Sequence, residues 1–261
     1  MRTMSSDVGM TRGLELAGKV FIVTGGARNI GRAITGALAA GGASVMVNAH
    51  SSVQDAAETV RLVAARGGTA ASFVADVTDP TEVATLVEAT IERFGRLDGL
   101  VHNAAVRAEQ SFETITFEDW RRILAVILDG AFLCSQACLP HLIRAGGGSI
   151  VNIGGETGHQ GASHRAHVVT AKAGLAGLTK ALALDLAPHG ITVNCVVPGR
   201  IATVRGLPGA PEAPTHRRGA PPVGRLGLPG EVAAMVRMLC SPDARYVTGQ
   251  SIHVNGGGFM P

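Results

Sequence analysis

Aromatic side chains are scarce. They make up 3% of the 261 residues, with one Trp and one Tyr, Tyr246. The interior therefore has to be built from Ala, Val, Leu and Ile, packed at close backbone spacing. A single tyrosine also leaves one phenol for any chemistry that needs one. Cysteine is sparse too. Cys134, Cys138, Cys195 and Cys240 form no disulfide framework and read as small buried residues in a reducing cytoplasm. The formal net charge is +3, and no long basic stripe accompanies it, which argues against nucleic acid as a partner. No apolar run has the expected length of a membrane span. The first residues lack the continuous apolar core of a secretory signal. Residues 1–17 are expected to form a flexible leader, and the chain to be cytoplasmic with no membrane partner.

Hydrophobic residues are plentiful at 46%, enough to bury a large core. Many glycines stand where a β-like run gives way to a helical pattern. Short apolar runs at Lys19–Val23, Ser44–Asn48, Ala70–Ala75, Asp98–His102, Ser149–Ile153, Ile191–Val196 and Ser251–Val254 alternate with helical periodicity. The helical stretches lie near Ile30–Ala40, Val53–Arg66, Pro80–Phe94, Phe117–Arg144 and Ser163–Ala187. This alternation predicts an α/β fold, a Rossmann-type doubly wound parallel sheet of about seven strands flanked by helices. One domain is expected over 18–261. Residues 204–229 break the rhythm with dense Pro and Gly, which cannot hold a long helix. They read as a flap over the cleft, which should open at the carboxyl ends of the strands.

Between the first strand and first helix stands Thr24-Gly25-Gly26-Ala27-Arg28-Asn29-Ile30-Gly31. Glycines there let the backbone turn tightly and approach a pyrophosphate seated at a helix N-terminus. Asn29 is the non-glycine type that best tolerates positive φ. Other segments fall in a fixed order: Asp76-Val77, His102-Asn103-Ala104-Ala105, Ile150-Val151-Asn152-Ile153-Gly154-Gly155, Lys172-Ala173-Gly174, Pro198-Gly199-Arg200-Ile201-Ala202-Thr203 and Tyr246-Val247-Thr248-Gly249-Gln250. Together they resemble the short-chain dehydrogenase/reductase family over about residues 18 to 258. The resemblance implies a nicotinamide dinucleotide held by Gly25, Arg28, Asn29, Ile30, Gly31, His50, Asp76, Val77, Asn103, Ala104, Lys172, Pro198, Gly199, Ile201 and Thr203. Dinucleotide readers that prefer NAD place an acid after the second strand, but here the run is Asn48-Ala49-His50-Ser51. With Arg28 nearby, NADP is favoured and NAD is the alternative.

The family's catalytic set is Ser, Tyr and Lys, with an Asn on the long helix. Lys172 matches. The Tyr position holds Val168, the Ser position Gly155 and the Asn position Ile127. A tyrosine mechanism is thus not expected unless Tyr246 reaches the site. Ionisable groups cluster instead at Glu156, His159, His164, Arg165 and His167. On a helix, His164, Val168 and Lys172 would share one face. The expected rewired site has His164 or Glu156 as acid/base with His167 adjacent, Arg165 as an anion clamp beside His159, and Lys172 on the ribose. The spacing of these histidines and Glu156 fits no strong metal template, and no metal is expected.

The leading expectation is an atypical oxidoreductase acting on a small carbonyl or hydroxyl compound, or on an activated C=C or C=N bond. The alternatives are a non-redox enzyme such as a dehydratase, isomerase or hydrolase, and a catalytically silent nucleotide-binding or partner protein. The resemblance further implies a homotetramer or homodimer paired through helices at about 117–144 and 163–187.

Overall fold

The computed structural model describes residues 13–203 and 220–261. In chain order it contains β1 (Val20–Thr24), α1 (Asn29–Ala40), β2 (Ser44–Ala49), α2 (Val53–Ala64), β3 (Thr69–Val74), α3 (Pro80–Phe94) and β4 (Gly99–His102). Then come α4 (Phe117–Leu124), α5 (Gly130–Arg144), β5 (Gly148–Ile153), α6 (Thr157–Gln160), α7 (Ala166–Leu186), β6 (Ile191–Pro198), α8 (Pro229–Cys240) and β7 (Ser251–Val254). The strands form one seven-stranded sheet in the order β3-β2-β1-β4-β5-β6-β7, with every pairing parallel. The order reverses between β1 and β4. Loops leave this point on opposite faces of the sheet, and a crevice opens between them.

Period-two alternation builds the two cores. Phe21, Val23, Val45 and Val47 face α1, α2 and α8 with Ile34, Leu38, Val63 and Val236. Ile22, Met46, Leu100 and Ile150 face the other way, toward α3, α5 and α7 with Leu86, Val87, Leu142 and Ala183. Local chemistry sets the ends of α3: Asp79 accepts hydrogen bonds from the Thr81 and Glu82 amides, Pro80 opens the helix, and Gly95 closes it in the left-handed conformation.

Four expectations need revision. The predicted helix over 117–144 is continuous but contains a π turn at Ala125–Asp129. By length and composition this stretch does pass for a membrane span, with a mean hydropathy of 1.8. Of its residues, Cys134, Cys138 and Leu142 are buried in the core on the α3, α5 and α7 side, and Ile123, Ile127 and Ala131 are buried against α7. Residues 13–17 belong to the domain rather than to a leader. Leu16 is wholly buried, and Glu15 pairs with Arg237 of α8 at 2.6 Å; residues 1–12 lie outside the described residues. Finally, α8 went unread in the sequence, and α7 begins at Ala166 rather than near Ser163. Of the expected flap, 204–219 lies outside the described residues. Its end docks on the C-terminal turn, where the Val223 amide donates to the Gly256 carbonyl.

Candidate active site

A cleft of about 1210 Å³ opens at the carboxyl ends of the strands, at the switch point. Its floor is the turn from β1 to α1. Gly25 has φ +59°, and a Cβ on Gly31 would lie 2.1 Å from the Gly25 carbonyl oxygen. Asn29 carries φ 49°, the left-handed geometry that its side chain tolerates. No side chain caps α1, and its first turn holds no acid; Asn29, Ile30 and Gly31 of that turn line the cleft, so the positive dipole end of the helix faces it.

Asn103 stitches this floor to β4. Its Nδ2 donates to the Thr24 and Gly25 carbonyls at 3.2 and 2.9 Å. The Asn103 and Ala104 amides donate to Thr24 Oγ1, which directs that hydroxyl's own proton to His102 Nδ1 at 3.2 Å. His102 is buried. Desolvation, helped by the nearby Lys172 charge, pushes its pKa down to about 3, so it stays neutral and structural.

The outer end of the cleft is lined by Arg28, His50, Ser51, Ser52, Asp76 and Val77. Arg28 donates to Ser52 Oγ at 3.2 Å and lies 3.4 Å from Asp55. His50 stands 3.5 Å from Asp76. Burial would raise the Asp76 carboxyl, but hydrogen bonds from the Thr78 amide and hydroxyl, with His50 nearby, hold it below its ordinary value. Pro198, Gly199, Ile201 and Thr203 line the opposite wall.

At the inner end, Lys172 is buried on α7 and donates from Nζ to the Ile153 carbonyl at 2.6 Å. Desolvation brings its pKa from 10.5 down to about 8, Cys195 opposing and Arg107 assisting. Val168 lines the cleft one turn before it. Val168 and Ile127 belong to one apolar cluster with Ile123, Ala131, Ala171 and Leu175. The positions where the resemblance expects Tyr and Asn are thus packed together as hydrocarbon. Tyr246 is fully exposed and is not among the cleft-lining residues.

Glu156 reaches the cleft. Its Oε1 accepts from Gln160 Nε2 at 2.6 Å. Its Oε2 occupies space that a Cβ on Gly199 or Gly258 would approach to 2.7 or 3.0 Å. Both glycines leave room for the carboxylate. Arg165 also lines the cleft and pairs with Glu109.

The three histidines go elsewhere, and the expected stripe does not form. His164 lies in an exposed turn before α7, with φ +58°, off the helix and outside the cleft lining. His167 is wholly buried, and its Nδ1 accepts the Val168 amide, making it a core residue. His159 packs edge-on against His253 at 4.8 Å and beside Phe259; desolvation, then His253 and Lys180, lower its pKa. The chain turns at residues 161–165 instead of entering the helix, which takes His164 off the face of Val168 and Lys172; His159 lies before this turn in α6, and His167 lies within α7. Arg122, Gln160 and Thr157 also line the cleft without having been singled out in the sequence. Thr157 was legible from its place two residues after Gly155, whereas Arg122 is brought in by the packing of α4. The four cysteines are free and buried, and burial lifts the Cys134 thiol to about 12.

The comparisons with known proteins agree with this geometry. A family model described as enoyl-(acyl carrier protein) reductase matches residues 25–258. A 3-oxoacyl-(acyl-carrier-protein) reductase of Synechocystis is 38% identical over 248 residues, covering 94% of this chain and 98% of that one. An uncharacterized oxidoreductase of Methylorubrum extorquens is 40% identical over 247 residues, covering 93% and 98%. A solved short-chain dehydrogenase/reductase of Serratia marcescens, bearing two Phe-to-Leu substitutions, superposes with a TM-score of 0.87 at 36% identity, over 94% of this chain and 99% of that one. Sheet order, glycine turn and near full-length similarity converge on one assignment: the chain belongs to the short-chain dehydrogenase/reductase family.

Proposed function

We propose that this protein is an NADP-dependent oxidoreductase that works on a small carbonyl or hydroxyl compound, or an activated C=C or C=N bond, without a tyrosine–serine pair. The observation that carries the reading is the contrast within one cleft. Every residue expected to hold the dinucleotide lines it, while Gly155, Val168 and Ile127 stand where proton-handling side chains are expected.

The cleft fits the cofactor on its own chemistry. Gly31 has no room for a side chain against Gly25, which brings backbone close to a pyrophosphate, and the uncapped α1 supplies amides for it. Arg28, Ser51, Ser52 and His50 offer a cation, hydroxyls and an imidazole where a ribose acid is absent, which favours a 2′-phosphate. Lys172, which lines the inner end of the cleft, is the residue that would hold the nicotinamide ribose. When bound, the nicotinamide supplies or accepts a hydride.

The proton on the substrate oxygen or carbon falls to Glu156, directly or through water. Its carboxylate accepts a hydrogen bond from Gln160 and sits in the room that Gly199 and Gly258 leave, which suits a positioned acid/base. Arg107, Arg122, Arg165 and Arg200 line the cleft at that end with Glu156. Arg122 is paired with Asp119 and Arg165 with Glu109; an anionic substrate would share the Arg165 guanidinium with that carboxylate, and Arg165 is the clamp this reading assigns. A 3-oxoacyl thioester is the first compound to try, because the Synechocystis relative is named for reducing one.

A fluorescence titration with NADPH and NADH tests the reading, followed by turnover of acetoacetyl-CoA and a panel of small oxo acids. Absence of NADPH binding refutes it. A second reading, a nucleotide-binding protein without turnover, draws on the hydrocarbon packing of Ile127 and Val168; NADPH binding without consumption of any oxo compound would favour it. We also infer a homodimer or homotetramer through α5 and α7, where Phe132 and Leu184 are exposed. Light scattering reads this directly, and a monomer would refute it.

A further inference from the structure

We propose that Thr157 supplies the substrate-facing hydroxyl of this site, in the space left open by Gly155. The inference rests on the reading above that the cleft handles a carbonyl or hydroxyl compound. A side chain at residue 155 would begin 3.9 Å from Lys172 Cγ and 4.0 Å from Thr157 Oγ1, with nothing nearer. The Thr157 hydroxyl therefore borders the volume that a serine at 155 would occupy, and the absent side chain clears its approach. Thr157 lines the cleft, and among the described residues its hydroxyl makes no hydrogen bond.

The hydroxyl is also held in place. The Glu156 amide donates to the Pro198 carbonyl at 3.0 Å, and the Gly161 amide donates to the Thr157 carbonyl at 2.9 Å. These bonds fix both ends of α6. A Cβ on Gly158 would lie 2.8 Å from Lys172 Cβ, so the backbone of α6 lies directly on α7 beside the buried lysine. A threonine hydroxyl both donates and accepts. Fixed in this way, it donates to a carbonyl oxygen, or accepts from a hydroxyl, with little reorganisation. It moves no proton itself; that role stays with Glu156 or water.

The test uses the full chain and two titrations, NADPH by fluorescence and acetoacetyl-CoA by calorimetry. The proteins are wild type, Thr157→Val, Thr157→Ser, and Gly155→Ser combined with Thr157→Val. Losing one neutral hydrogen bond should weaken the thioester about fivefold to tenfold in Thr157→Val. NADPH affinity should stay within about twofold. Thr157→Ser should retain thioester binding, and Gly155→Ser should restore it to the valine variant, an outcome that a purely structural role for Thr157 would not produce. Equal thioester affinity in wild type and Thr157→Val overturns the inference. So does an equal loss in Thr157→Ser, or a wild type that binds NADPH but no thioester. Failure of the wild type to bind NADPH removes the proposed function itself, and this inference with it.

Discussion

Replacing Lys172 with methionine should abolish a specific part of the protein's alkaline stability. Lys172 is buried with its Nζ on the Ile153 carbonyl, and desolvation lowers its pKa from 10.5 to about 8. Below pH 8 both folded and unfolded chains carry the charge, and the folded chain bears the cost of burying it. Between pH 8 and about 10.5 the folded lysine is neutral while the unfolded one still holds its proton. The unfolded state then binds more protons, so stability rises with pH across that window. At about 1.36 kcal/mol per pH unit the rise amounts to about 3 kcal/mol. Buried thiols act in the opposite sense. Desolvation lifts Cys134 and Cys240 to about 12, so above pH 9 they lower stability as the unfolded thiols ionise. The quantity to read is therefore the difference between parent and Lys172→Met unfolding free energies, from urea denaturation at half-unit pH steps. A Cys195→Ala background removes the thiol coupled to Lys172. The parent should gain about 3 kcal/mol on the variant between pH 7.5 and 10.5. The unpaired Ile153 carbonyl adds an offset of about 1–3 kcal/mol that does not change with pH. A difference that stays flat with pH refutes the burial argument for Lys172.

Other outcomes follow from the same geometry. Gly31→Ala forces a Cβ onto the Gly25 carbonyl; it should cost about 1–3 kcal/mol of stability and more than tenfold in NADPH affinity, and an alanine variant that binds normally would contradict the cradle. Arg28→Ala should weaken NADPH by roughly tenfold and NADH by little, read by paired titrations; equal losses would remove the 2′-phosphate assignment. Glu156→Gln should lower kcat by about a hundredfold or more with KM little changed, while His164→Ala, altering an exposed turn outside the cleft lining, should leave turnover within about twofold; the reverse order of effects would shift the acid/base role to the histidine.

The fold was legible because strand and helix periods alternate cleanly, and each expected strand is found to within two residues of its bounds. The dinucleotide end was legible for a related reason: glycines and an Asn in a strand-to-helix turn leave few backbone shapes open. The inner end was less so. Helical spacing placed His164 on a face with Val168 and Lys172, but Gly161 and His164 both adopt positive φ and turn the chain before the helix starts. No local period reports such a turn. Thr157 was legible only through its place after Gly155, since its role depends on the side chain missing there, and α8 was obscured because Pro229, which opens that helix, also closes a stretch dense in Pro and Gly.

The most direct test of the account follows NADPH consumption by absorbance, with acetoacetyl-CoA, in wild type and Tyr246→Phe side by side. Tyr246 is fully exposed and away from the cleft, so both proteins should consume NADPH at the same rate. A wild type that oxidises NADPH while Tyr246→Phe is inactive would place a phenol in the chemistry after all and contradict the account.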